Sequence, residues 1–347
     1  MKSKTKKTVF ISLTIFFAIM LGGLFYIYNK LIGNHVIHDR REETYIHIPT
    51  GCDFNQALKL LEDSGLVDDP RAFRWMALQM KYDVKVKPGR YKITKGMSSR
   101  SMLLLLRSGK QSPVKLRFQN VRTTKQLAGV IGKQIEADSI ELAALLQDSV
   151  FLEGLGFNRH TAATMFIPNT YEFYWNTDAR KFIEKMKKEY DRFWNDRRLS
   201  SARGIGLTPA QVSTLASIVE KETAKNDEKP SVAGVYMNRL QQNWKLEADP
   251  TLIFAANDFT IRRVLNKHKE IDSPYNTYKY MGLPPGPICI PSIASIDAVL
   301  SYKRHEYMFF CAKEDFSGYH NFATTYSEHL ANARKFQDEL NRRNIRS

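Results

Sequence analysis

The chain has 347 residues, 52 Lys+Arg against 36 Asp+Glu, a formal net charge of +16 and 43% hydrophobic residues. That profile excludes a collagen-like, mucin-like or wholly disordered chain, and the length suits two ordinary domains or one large domain with an appendage. Cys52, Cys289 and Cys311 are too scattered for a disulfide scaffold, and no Cys-x-x-Cys pair offers a structural zinc site.

Residues 1–7 form a short tail bearing Lys2, Lys4, Lys6 and Lys7, and residues 8–28 carry no charge. As a helix, that uncharged run would be about 31 Å long, against ~30 Å for a hydrocarbon core. It ends in Tyr26, Tyr28, Asn29 and Lys30 without a small-x-small cleavage site, so the expectation is an uncleaved single span. The lysines place the tail in the cytoplasm and the bulk of the chain on the outer, periplasmic side of the inner membrane. A basic domain there is suited to anionic lipid or an anionic wall polymer. Its basic residues form no clustered arm, so no nucleic acid is expected. In an oxidising compartment Cys289 and Cys311 could pair; buried free thiols are the favoured alternative, and Cys52 is left over.

Residues 29–43 are polar and charged and read as a linker. Residues 44–118 read as a small α+β module. Thr44 opens an alternating strand that turns at Pro49-Thr50-Gly51. Asp53 caps a helix with Ala57, Leu58, Leu60 and Leu61 inside and Gly65 as its stop. A second helix over residues 70–82 should bury Phe73, Trp75, Met76 and Met80. A turn and strand follow in KPGRYKI, then a helix stopped by Gly109 and a strand in PVKLRFQN. This β-α-α-β-α-β layout resembles the LysM-like modules found beside some cell-wall enzymes. A module that only positions the next domain fits the residues as well.

The remainder, 119–347, divides into a mostly helical part, 119–204, and a core, 205–347. Between Thr164 and Trp175 lies an aromatic segment broken by Pro168. Residues 178–203 read as one long charged helix with Phe182, Met186, Tyr190 and Phe193 on its apolar stripe. In the core, Thr208 and Pro209 start a helix expected to run to Ala224, with Val212, Leu215, Ala216 and Val219 buried. Glu220 lies beside that stripe, one turn after the small Ala216 and Ser217. A partly desolvated carboxyl there would have a raised pKa and suit a general acid. Alternatively Glu220 is a surface residue paired with Lys225. Polar clusters follow: Asn238-Arg239; Asp249 before Pro250; Tyr275, Asn276, Tyr278 and Tyr280 before a Pro284-Pro285-Gly286-Pro287 turn; and His320, Asn321 and Tyr326. Aromatics among amides and carboxylates can line a saccharide groove, and each cluster could equally be a structural loop. Walker, G-x-S-x-G, H-E-x-x-H and S-x-x-K patterns are absent, and the histidines lack metal-ligand spacing.

The series LASIVEKET, VAGVYMNRL, LEADPT, SPYNTYKYMGLPPGPICIPSIASIDAVL and YHNFATTYSEH resembles the membrane-anchored, YceG-like endolytic murein transglycosylases. The resemblance covers essentially the whole chain. It implies an α+β fold with a transmembrane helix, a small LysM-like module and a larger catalytic domain. It also implies a lyase that cuts the MurNAc–GlcNAc β-1,4 bond in nascent strands, leaving 1,6-anhydroMurNAc ends, with Glu220 as catalytic acid and base. Glu222, Asn238, Arg239, Asp249, Tyr275, Asn276 and His320 are its candidate substrate-binding residues. Glycan strands, the inner membrane and penicillin-binding proteins are its implied partners, with no metal or organic cofactor. Asn169 stands where the family commonly has an acid, and Glu247-Ala248 where it has Gln-Thr or Gln-Ser. Two other readings are a muramidase using water, with Asp249 or Glu222 as second carboxylate, and a tethered wall-binding scaffold that cuts nothing. A basic nucleic-acid binder would require the bulk of the chain in the cytoplasm.

Overall fold

The computed structural model describes residues 2–32, 42–67 and 69–343. The expected linker, 29–43, lies mostly outside them. Helix α1, Lys2–Ile32, includes the uncharged run. Its described side chains, 10–26, are exposed. The expected span, 8–28, reaches past these side chains at both ends, and among the described residues no helix is long and apolar enough to cross a membrane.

The chain divides into two compact units, one formed by Met1–Lys115, Gln134–Glu136 and Glu172–Thr177, the other by the remaining residues from Leu116 to Ser347. In the first unit, strand β1 (Glu43–Ile48) is followed by α2 (Phe54–Asp63), α3 (Pro70–Gln79), β2 (Gly89–Thr94) and α4 (Ser99–Ser108). β1 and β2 pair antiparallel with Ile46 opposite Tyr91 and Ile48 opposite Gly89. The period-2 alternation buries Ile46 and Ile48 with Tyr91 and Ile93. α2 starts in a capping box between Asp53 and Gln56, and places Phe54, Ala57, Leu58 and Leu61 on one buried stripe. Ser98 caps α4, and Gly109, at φ +72°, ends it in the left-handed conformation. Trp75, expected inside, is exposed. It lies two residues after buried Phe73, and two helical steps of about 100° carry it to the far side. Segments 134–136 and 172–177 join this unit through Thr50, which donates from Oγ1 to Glu136 Oε2 at 2.6 Å, and through Trp175, 4.8 Å from the His47 ring.

Strand β3 (Val114–Arg117) leads into the second unit, which holds α5 (Thr124–Gly132), α6 (Ser139–Leu145), α7 (Ser149–Gly154) and α8 (Ala179–Phe193); strand β4 (Thr170–Phe173) passes from it into the 172–177 segment of the first. The expected long helix is in fact two, α8 and α9 (Asp196–Gly204). Asn195 breaks it: its extended backbone and a side chain accepting from Arg198 N–H start a new helix. α10 (Pro209–Glu222) begins in a capping box of Thr208 with Gln211 and ends two residues before the expected Ala224. Then come α11 (Lys229–Gln241), α12 (Asp249–Ala255), α13 (Asn266–Lys269), α14 (Ile293–Leu300), an antiparallel β5–β6 hairpin (Phe309–Ala312 and His320–Ala323) and α15 (Tyr326–Arg342).

α10 is the axis of this unit. Every residue from Val212 to Val219 is buried, because α11, α12 and α14 pack around it. Val232, Ala233, Tyr236 and Met237 of α11 and Ile296 and Val299 of α14 fill the same core. A helix enclosed on all sides fixes the direction of the side chains at its C-terminal turn, and that turn carries Glu220. All three cysteines are free thiols, so Cys289 and Cys311 are unpaired.

Candidate active site

Glu220 is one residue past the buried stretch of α10, with its side chain 20% exposed. Three donors from two other elements converge on its Oε2. Lys229, at the start of α11, donates from Nζ at 3.0 Å. Ser292, the residue capping α14, donates from Oγ at 2.6 Å, and Ser295 Oγ also bonds this oxygen. Lys229 is enclosed, its side chain only 5% exposed, so its charge faces the carboxylate with little solvent screening. The alternative partner, Lys225, instead lies over the Tyr319 ring at 4.9 Å.

The expected upward pKa shift of Glu220 is not found. Burial does push the carboxyl up, but the Ser292 and Ser295 hydroxyls and the Lys229 ammonium outweigh it and hold the group below the ordinary glutamate value. At rest, Glu220 is ionised at neutral pH. The small residues one turn back also serve otherwise than expected. Ala216 and Ser217 are fully buried, and their small size admits the 288–289 backbone. Ile288 N–H donates to Ser217 Oγ at 2.9 Å, and the Cys289 thiol donates to Ser217 O at 3.6 Å.

A second group of ionisable residues surrounds Glu222. Tyr236 OH donates to Glu222 Oε1 at 2.6 Å, and Tyr278 OH donates to Asp249 Oδ1 at 2.6 Å. Burial pushes the Glu222 carboxyl up to about 7; the Tyr236 bond and Arg239 oppose this, and Asp249 adds to it. Glu222 therefore favours its protonated form in the folded state. Stability carried by that proton is fully present below the unfolded-state pKa and is lost as pH rises to about 7. Glu222→Gln, which keeps a neutral partner for Tyr236, is expected to remove this decline and gain about 3 kcal/mol at pH 8. Urea unfolding at pH 4.5 and pH 8 measures it, and equal pH slopes in variant and wild type would count against the assignment.

The remaining predicted residues make other contacts. Asn238 donates to His305 O at 2.8 Å and Tyr307 O at 2.9 Å. Arg239 donates to Met308 O at 2.9 Å and Leu246 O at 2.5 Å. Asn276, fully buried, donates to Lys269 O and Ile271 O and accepts from Tyr278 and Lys279 N–H. Tyr275 OH meets His160 Nδ1 at 3.2 Å, and its ring packs 4.7 Å from Phe254. His320 is tied to buried Glu228 through its backbone N–H at 2.7 Å and its ring at 2.8 Å. Exposed Asn169 accepts from Thr170 N–H at 2.7 Å. None of these contacts is with Glu220. The site's own partners, Lys229, Ser292 and Ser295, escaped the sequence reading. The available signal was the Ser-x-x-Ser at a helix start in PSIAS and a lysine beside Pro230.

The cation favours the ionised carboxyl, so Lys229→Met is expected to raise the Glu220 pKa. The arm of kcat/KM against pH that needs a proton on Glu220 should then move to higher pH. Ser295→Ala should move it the same way by less. An unmoved arm in both would separate these donors from the titrating group.

The α+β chain thus holds the Glu220 carboxylate at the end of a buried helix, backed by a lysine and two hydroxyls, an arrangement able to give and take a proton. The YceG-like family matches residues 46–335, and the chain belongs to this family. The endolytic murein transglycosylase of Bacillus subtilis (strain 168) is 27% identical over 339 residues, covering 93% of this chain and 92% of that protein. The endolytic murein transglycosylase of Streptococcus pneumoniae serotype 2 (strain D39 / NCTC 7466) is also 27% identical, and the match spans 88% of this chain but 61% of that longer protein. A crystal structure of a YceG-like protein from Listeria monocytogenes superposes with a TM-score of 0.57 at 25% identity, over 84% of this chain and 98% of that one.

Proposed function

We propose that the chain is a membrane-anchored lytic transglycosylase of peptidoglycan, a lyase that cuts the MurNAc–GlcNAc β-1,4 bond inside nascent strands. The observation that carries this reading is the convergence of Lys229, Ser292 and Ser295 on one oxygen of Glu220, in a chain whose relatives bear the name murein transglycosylase. Protonated Glu220 gives its proton to the glycosidic oxygen as the C1–O bond breaks. The three donors stabilise the carboxylate that results, which makes Glu220 a stronger acid while lowering the fraction protonated at rest. The carboxylate then takes the proton of the MurNAc 6-hydroxyl as that oxygen bonds C1, closing the 1,6-anhydro ring and restoring the acid. A single carboxyl serves both halves because the nucleophile belongs to the substrate and is held at high effective molarity. A glycosidase that activates water ordinarily uses two carboxyl groups.

The uncharged run 8–28 supports a single span in the cytoplasmic membrane, with the tail lysines inside and the rest of the chain on the wall side. The module at 44–118 acts as a LysM-like grip on glycan. Cutting nascent strands near the membrane also brings the chain beside penicillin-binding proteins that polymerise them. Mass spectrometry of a glycan digest made in ¹⁸O-water tests the chemistry. Anhydro ends without label are expected, whereas labelled reducing ends would mean that water is the nucleophile.

A further inference from the structure

Beside the catalytic turn lies a cavity of 90 Å³, lined by Arg122, Lys221, Ile253, Phe254, Phe259 and Ile288 among others. Lys221 follows Glu220 in the chain, and Ile288 is the residue whose N–H bonds Ser217, one turn before Glu220. The cavity therefore borders the helical turn that carries Glu220. Cys289 gives a second measure of this closeness. Its thiol donates to the Ser217 carbonyl, one turn before Glu220, at 3.6 Å. The Arg122 guanidinium is 4.7 Å from the Phe259 ring centroid. A ring covering the guanidinium face leaves the N–H edge for an acceptor. Among the described residues, neither Arg122 nor Lys221 forms an ion pair with a carboxylate.

Two cations in a small, otherwise apolar cavity fit one kind of group. The cavity is small and its charged lining groups are both cations, which suits a carboxylate on a short apolar stem. Cation–carboxylate bonds in a site with apolar walls are stronger than in water. We propose that this cavity is an anion subsite for a carboxylate carried by the glycan strand next to the scissile bond, which rests on the reading of the chain as a glycan-cleaving enzyme. Two sources share this chemistry. One is the acid of a peptide stem, and the other is the lactyl carboxylate of a MurNAc that has lost its stem.

Four strand preparations separate them: strands with intact stems, strands stripped of stems so that each lactyl group is a free carboxylate, and each of these with every carboxylate converted to the amide. With the full-length chain in detergent, amidation is expected to cost the wild type about 10- to 100-fold in kcat/KM on one of the two carboxylate-bearing strands. The same amidation should cost the Arg122→Gln/Lys221→Gln variant almost nothing, and Lys221→Arg alone should restore much of the discrimination. A loss confined to stem-bearing strands assigns the stem acid, and one confined to stripped strands assigns the lactyl group. If amidation changes wild type and double variant by the same factor, or neither, the subsite is overturned. If the wild type cleaves no strand, the enzymatic reading fails separately. Dissociation constants of the Glu220→Gln chain for the same strands then decide the subsite: tighter binding of a carboxylate-bearing strand than of its amide supports it, and equal binding overturns it.

Discussion

Glu220→Gln is expected to lower kcat for glycan cleavage by about 10²- to 10⁴-fold, the span usually lost with a general acid–base group. Glutamine keeps the side-chain shape and an oxygen that can accept from Lys229, Ser292 and Ser295, the three donors that hold Glu220. What it loses is the exchangeable proton, so strand binding should persist while turnover stops. The dissociation constant measured on uncleaved strands should stay near that of wild type. Undiminished cleavage by the variant would move the chemistry to another residue.

Arg239→Met is expected to produce the largest loss of stability, about 3 kcal/mol, read as a lower urea midpoint. Arg239 is 7% exposed and serves as a buried tie, bonding the carbonyls of Leu246 and Met308, with Glu247 3.9 Å away. Methionine preserves much of the apolar volume beside Phe309 but leaves two buried carbonyls without donors, each costing about 1–3 kcal/mol. Arg239→Lys should not rescue fully, because an ammonium lacks the guanidinium's fixed fork. A midpoint within error of wild type in Arg239→Met would show that water or a shifted backbone replaces these bonds.

The contrast between these two positions shows what the sequence could reveal. Local signals were legible. The Thr208–Pro209 start of α10, the Asp53 cap and the Gly109 stop each depend on residues within a few positions, and each is found in the fold. The place of Glu220 at the end of α10 was legible because the helix that presents it is strongly patterned. Its partners were not, because Ser292 and Ser295 come to it from 72 and 75 residues away and helical periodicity carries no long-range pairing. That gap also explains the wrong direction expected for the Glu220 pKa: burial was foreseeable, while the donors that outweigh it were not.

The amide-rich clusters misled for a related reason. Asn238 and Asn276 have the groups a sugar hydroxyl needs, but irregular backbone near 269–271 and 305–307 leaves carbonyls that must be satisfied, and these two amides meet them. Side-chain chemistry read from sequence cannot distinguish an amide meant for a ligand from one used up by a loop. The single helix expected over 178–203 failed at Asn195, a cap residue whose alternative role as a polar surface position was equally compatible with the pattern.

The account stands on a carboxyl whose pKa Lys229, Ser292 and Ser295 hold below the ordinary glutamate value. Its most direct test is titration of the Glu220 carboxyl carbon by ¹³C NMR in the full-length chain, assigned by the signal that Glu220→Gln removes. A midpoint below that of an ordinary glutamate, moving upward in Lys229→Met, is the predicted result. A midpoint above the ordinary value, indifferent to Lys229, would contradict it.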